Sequence, residues 1–482
     1  MAILRIYAVG LIAWIGFCFL WIARLSAREV FIVPTNASAA TPYTNWAMAA
    51  TNIQNAINAA TNNDTVWISN GVYQLTNQVT FSSASNNNMI IKSVNGPAVT
   101  VIDANNYSGK PVTNRCLDIG TASNNTFSGL TFANGQSTRS GAGISFAQAT
   151  TITNCVFVSN VCIISSWVTG GGLNGTNGII KNSAFHDNQA ERGGGLCMWG
   201  ATFLISDCTI SNNIANLAGG AGIYGNGMML NSIVISNLAI GSQGGGLGIF
   251  QSAVVSNCVI SGNVCTNTAT WENGAGIYFA AGNATVQNCT IRGNIGYRGG
   301  GVFYNQCSNS TIRNCLISGN TANRYGGGIF IYENVAYTGL VESCTIVDNT
   351  CSSQGGGIQI DYNTTNRVYI LNTIIWSNIS IGGSSYSNLN STDTNAFAYC
   401  CAPVNFFRPN AGNVTNYPQF VDFTNGNYRL NQSSPCVNAG TNMNWMSGAV
   451  DLDGHSRIDR FSGVVDMGCY EYLPAGTVYS VP

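Results

Sequence analysis

Three arginines and two tyrosines are the residues through which this chain could act on a substrate. Arg192, Arg298 and Arg324 stand at the edge of glycine runs, and Tyr297 and Tyr325 lie beside the last two. An arginine held near an acidic sugar can take up a proton while neighbouring cations neutralise the carboxylate, which is what eliminative cleavage of a uronate polymer requires. The competing reading makes them solvent-facing residues at loop ends. Glycoside hydrolysis would instead need two carboxylates roughly 5 to 9.5 Å apart. Asp187 and Asp348 occupy equivalent positions too many repeats apart to cooperate, whereas Asp361, Glu333 and Glu342 could converge from neighbouring repeats. The two histidines, His186 and His455, are far apart in sequence. Asp451-x-Asp453-Gly454 opens like a calcium loop but lacks the later ligands of the twelve-residue form. Calcium is therefore the one cofactor suggested, against a turn held by its own carboxylates.

These residues are carried by a repeat running over residues 151–378, of the form apolar-x-Asn-Cys-x-apolar-x-x-Asn followed by Gly-Gly-Gly-apolar. Its last Asn falls at Asn160, Asn188, Asn213, Asn237, Asn263, Asn294, Asn320, Asn349 and Asn378, a spacing of 24 to 31 residues. A period in this range marks a solenoid. The apolar runs are short and alternating, as in Thr285-Val286 and Thr290-Ile291, so the units are strands and not helices. The spacing predicts an all-β right-handed parallel β-helix of about 10–12 coils stacked near 4.8 Å. Like side chains then lie above one another, and Asn suits both the bends and an amide ladder along the axis. The gap from ladder Asn to third glycine varies, which predicts one decorated edge.

The repeat resembles the Gly-Gly-Ala-Ile and Phe-x-x-Asn repeats of chlamydial polymorphic outer-membrane proteins and, more broadly, the pectin-lyase-like superfamily. The passage from Ile53 to Ala60, followed by Asp64-Thr65-Val66 and Gly71-Val72-Tyr73, is similar to the entry segment of that superfamily. The resemblance implies a helix over residues 46–60 capping the N-terminal end. The tail, with Asp451-Leu452-Asp453-Gly454 and Val465-Asp466-Met467-Gly468-Cys469-Tyr470-Glu471-Tyr472, resembles a C-terminal module of bacterial surface β-helix proteins and is expected to cap the other end. The Asp-Asp and Gly-His signatures of polygalacturonases and the Trp-Ile-Asp-His signature of classic pectate lyases do not occur.

Residues 1–27, with an apolar run over 6–23, read as a secretory signal or an uncleaved anchor. Residues 28–64 are a lead and N-terminal cap, 65–380 the β-helix, 381–415 a junction loop and 416–482 the capping module. The expected location is secreted or cell-surface, with membrane contact only through the N-terminal segment. Charged residues make up 8% and the net charge is −1, which excludes nucleic acid as a partner. Seventeen cysteines are present. Cys155, Cys208, Cys258, Cys289, Cys315 and Cys344 share one inward position, and parallel stacked thiols fit a disulfide torsion poorly. Cys436 and Cys469 lie outside that column and are expected to be bridged, with Cys400 and Cys401 as further candidates. The first functional expectation is a monomeric protein binding a polysaccharide, a cell-surface glycan or a partner surface. A polysaccharide-degrading enzyme and an inert spacer are the alternatives.

Overall fold

The computed structural model describes residues 27–105, 114–163, 167–268, 273–280, 282–305, 309–333, 338–362, 367–382, 387–391, 396–403 and 411–474. The apolar N-terminal run at 6–23 lies outside them. Among the described residues no helix is long and apolar enough to cross a membrane.

The chain winds as a right-handed parallel β-helix of about 11 coils. Four parallel sheets run along it, here numbered in the order each coil visits them. Sheet I has 14 strands, sheet II 12, sheet III 10 and sheet IV 12. In one coil these are Gly178–Lys181, Ala184–His186, Gln189–Arg192 and Leu196–Gly200. Glu29–Ile32, expected as a lead, is the first strand of sheet I and pairs in parallel with Thr65–Ile68. At the far end Leu389–Asn390 and Phe397–Ala398 still pair with the coil before them, inside the expected junction loop. The helix expected over 46–60 is two pieces. A single turn at Trp46–Met48 precedes helix α1 (Ile53–Ala59), and Asn45 and Asn52 cap them by accepting N–H bonds from Met48 and Asn55. Ile53, Ala56 and Ile57 of α1 enter the main core.

Two Asn positions of the repeat divide the work. The one six residues before the ladder takes the left-handed conformation, with φ of 51° at Asn154, 56° at Asn257 and 49° at Asn372. The ladder Asn itself is wholly buried and bonds to the next: Asn237 Nδ2 to Asn263 Oδ1 is 3.0 Å, and Asn263 Nδ2 to Asn294 Oδ1 is 3.0 Å. The residue just before it is left-handed too, whether Ser159, Asp187, Asn212, Ser236 or Gly262. Small polar residues and glycine tolerate that region. The sequence reading missed this second bend column. Loop length also varies at a second corner, between sheets IV and I, with three residues after Gly200 and five after Phe279.

Cys155, Cys208, Cys258, Cys289, Cys315 and Cys344 form the expected column of buried free thiols. Next to it, Phe132, Phe157 and Phe185 stack at 5.1 and 4.7 Å, and Ile or Val continues the column in later coils.

The tail, expected to cap the C-terminal end, packs along the flank of the last coils, where Phe420, Tyr428, Cys436, Met467 and Cys469 cluster with the outward residues Leu316, Val347, Ile374 and Cys401. The bend asparagines receive it. Asn372 exchanges bonds of 2.8 Å with Thr441, and Asn314 Nδ2 donates to Val450 O at 2.9 Å.

Inside the tail, Arg457 is fully buried among three buried carboxyls: Asp451, Asp466 and Glu471. It pairs with Glu471 at 3.1 Å and donates to the carbonyls of Gly468 and Asp466. Asp451 and Asp466 each accept backbone N–H bonds, from Asp453, His455 and Glu471 and from Asn438 and Tyr472. One arginine cannot neutralise three anions, so the proton falls on Glu471, which burial pushes up to about 9; burial likewise raises Asp466 to about 6. A carboxyl with a raised folded pKa holds its proton in the folded state and loses it in the unfolded one. Its stability contribution therefore falls as pH rises from 4.5 towards about 9. Protease resistance of the tail is expected to decline over that window, and Glu471→Gln should flatten the decline. An unchanged profile in the variant would assign the pH response elsewhere.

Candidate functional site

Sheet IV carries the densest chemistry, because its outward positions hold aromatic rings in consecutive coils. Trp199 and Tyr224 stack at 4.3 Å, and Tyr224 and Phe250 at 4.1 Å with planes 2° apart. Gly222 and Gly248 make room for these rings, since a Cβ there would lie 2.9 Å from Tyr224 and 2.7 Å from Phe250. The row then steps sideways to the neighbouring outward position. Tyr278 and Phe303 follow at 5.7 Å, and Phe303 and Phe330 at 5.1 Å. Six rings over six coils span about 24 Å. Amides close both ends: Trp199 Nε1 donates to Asn174 Oδ1 at 3.1 Å, and Asn390 Nδ2 donates to Gln359 Oε1 at 2.9 Å. The first three rings are half-buried and the last three buried. Sequence reasoning missed this row. The available signal was the offset from the glycine that meets the ladder, four residues from Gly195, Gly220 and Gly246 to Trp199, Tyr224 and Phe250 and two from Gly276, Gly301 and Gly328 to Tyr278, Phe303 and Phe330.

The three expected arginines lie beside this row, at the corner between sheets III and IV. Arg192 donates to Tyr224 Oη at 3.3 Å, and its guanidinium lies 4.3 Å over the ring of Trp167, which is 71% exposed. Arg298 pairs in register with Tyr325. Arg324 lies 4.8 Å over Tyr325 and reaches Tyr297 Oη at 3.5 Å, while Arg298 lies 5.0 Å from the Tyr297 ring. Arg298, Arg324, Tyr297 and Tyr325 therefore form one cluster, and Arg192 stands about 19 Å away, four coils along the axis. Within the cluster the two arginines differ. Arg298 is only 2% exposed, and burial followed by the charge of Arg324 lowers its hold on its proton. Arg324 is the cation offered to solvent. Tyr325, more than any other neighbour, strengthens its protonation.

Asp361 and Glu342 do not converge. Asp361 lies in sheet IV in register with Tyr332, whereas Glu342 lies in sheet I, buried 3.9 Å from Arg313. The side chain of Glu333 lies outside the described residues. His186 pairs with its neighbour Asp187 at 2.8 Å on the outer side of sheet II. Asp451, Asp453 and His455 do come within 4.8 Å of one another. Yet Asp451 is occupied by three N–H donors, and Arg429 holds both oxygens of Asp453 at 2.5 Å. This set suits a self-satisfied turn and does not fit a calcium ion. Cys436 and Cys469, expected to be bridged, are both buried, and neither thiol is bonded to another in the structure.

Residues 262–397 match the family described as right handed beta helix region. No curated protein matches the chain. Among solved structures it is similar to the pectate lyase Pel9A, at 15% identity over 92% of this chain and 97% of that one, with a TM-score of 0.42. The Dettilon tailspike protein is similar at 13% identity over 71% and 68%, with a TM-score of 0.37. The A-module of the Azotobacter vinelandii mannuronan C-5 epimerase AlgE4 is similar at 15% identity over 67% and 89%, also with a TM-score of 0.37.

Proposed function

We propose that this is an exported protein that binds an acidic polysaccharide along the corner between sheets III and IV. The observation that carries the reading is the surface set of Arg192, Trp167 and Tyr224. An exposed indole stacks against the guanidinium and offers apolar surface to a sugar ring, and the arginine and phenol supply donors for the carboxylate and hydroxyls of a uronate. Arg324 with Tyr297 and Tyr325 repeats this pairing of cation and ring further along the axis. Two such sets on a rigid solenoid suit a polymer, since both can be engaged by one chain and short fragments can fill only one.

A second reading, eliminative cleavage, is favoured by Arg298, whose proton is loosened as a base would need. Its burial beneath the tyrosines sets that reading behind binding. Retention on immobilised polygalacturonate and alginate, with neutral dextran as control, distinguishes the two. Specific, salt-sensitive retention on an acidic polymer is expected, weakened about tenfold by Arg192→Ala or Trp167→Ala, in line with loss of a charge-assisted contact. Release of unsaturated product, abolished by Arg298→Lys, would establish the enzyme. Absence of both retention and turnover would leave the spacer.

A further inference from the structure

The two adjacent cysteines of the last coil face opposite ways. Cys400 continues the inward thiol column, its Sγ 3.2 Å from Ile370 O. Cys401 is in register with Ile374 on the outer flank of sheet II, where the tail packs. Its thiol donates to Asn416 O at 3.3 Å, and it packs in one buried cluster with Cys436. Cys436 is fixed in turn, its N–H on Ser434 Oγ at 3.2 Å and its C=O accepting from Met467 N–H at 3.0 Å. Cys469 turns elsewhere, with its N–H on Thr345 Oγ1 at 3.1 Å.

We propose that Cys401 and Cys436 are a disulfide pair that staples the tail to the last coil. The stacked column thiols all point one way, but these two approach from different segments across an interface, which a disulfide torsion can accommodate. The staple would close a loop of about 35 residues and hold the tail by restricting its undocked states. The oxidant is a disulfide of the exchange type, such as oxidised glutathione or an oxidised dithiol protein. One thiolate attacks that disulfide and releases one reagent thiol. The second thiolate then displaces the other reagent sulfur, so two protons leave the cysteines and two electrons end on the reagent. Both sulfurs are fully buried after docking, so the bond forms as the tail docks.

The full chain, produced in an oxidising export compartment, alkylated and digested without reductant, provides the test. Mass spectrometry is expected to find a peptide pair joined through Cys401 and Cys436, with Cys469 alkylated. The link should persist in Cys469→Ser. Reduction or Cys401→Ser should speed proteolytic loss of the tail more than about tenfold. Alkylated Cys436 in the folded chain, or its linkage to any other cysteine, would overturn the proposal.

Discussion

Asn263→Ala is expected to lower the stability of the solenoid by about 3–5 kcal/mol. The side chain is completely buried and makes four hydrogen bonds. Its Oδ1 accepts from the backbone N–H and from Nδ2 of Asn237, each at 3.0 Å. Its Nδ2 donates to Val234 O and to Asn294 Oδ1, again at 3.0 Å. Alanine therefore strands two donors of one coil inside a dry corner, and each buried orphan costs about 1–3 kcal/mol. Asn263→Asp is nearly isosteric and keeps the acceptor, so a loss driven by volume would leave it stable. A loss driven by the two bonds that the Asn263 amide itself donates would not, because a carboxylate there faces Val234 O and Asn294 Oδ1. Urea unfolding of both variants, with hydrogen exchange to locate the damage, distinguishes the causes. Protection should fall first in the coils flanking Asn263, since a solenoid is held by nearest-neighbour contacts. Wild-type-like stability in Asn263→Asp would refute the amide ladder as the source of cohesion.

The same ladder explains why the fold was so readable and the site was not. A parallel coil places equivalent residues one above another, so whatever the bend and core require is written nine times over, as Asn160 to Asn378 show. The outward positions answer to no such repeated demand. Trp199, Tyr224 and Phe250 occupy one outward position and Tyr278, Phe303 and Phe330 another, so the aromatic row changes column midway and escapes a fixed-offset search. The arginines were found because glycine triplets flag their corner. Their inequality was not legible, because a tyrosine adjoins both Arg298 and Arg324 in sequence while only Arg298 is buried. The flank contact of the tail was hidden for a related reason. Its docking partners, Leu316, Val347, Ile374 and Cys401, look in sequence like ordinary strand residues, and only their outward phase reveals an occupied flank.

Gly246→Ala is expected to cost roughly 3 kcal/mol or more, against about 1 kcal/mol for Gly262→Ala. The contrast isolates what the third glycine of each triplet is for. At Gly246 a Cβ would lie 2.7 Å from Gly276 O and 2.9 Å from Asn263 Nδ2. Equivalent approaches recur at Gly220 to Asn237 and at Gly276 to Asn294, each 2.9 Å. The two halves of the repeat thus meet across the coil: glycine is required because the asparagine amide lies against it. Neither the backbone oxygen nor the ladder amide is a flexible side-chain tip, so the methyl must displace the coil or break the ladder. Gly262 has the conformation usually taken as demanding glycine, φ +61°, yet its nearest neighbour to a Cβ is 3.8 Å away. Ser236, Asp348 and Asn212 hold the same conformation at equivalent bends, so alanine there pays only for backbone strain. Because Gly246 and Asn263 are in contact, the double variant Gly246→Ala with Asn263→Ala should destabilise by less than the two single losses combined. Full additivity in that cycle, or equal losses at Gly246 and Gly262, would show that conformation and not the ladder selects these glycines.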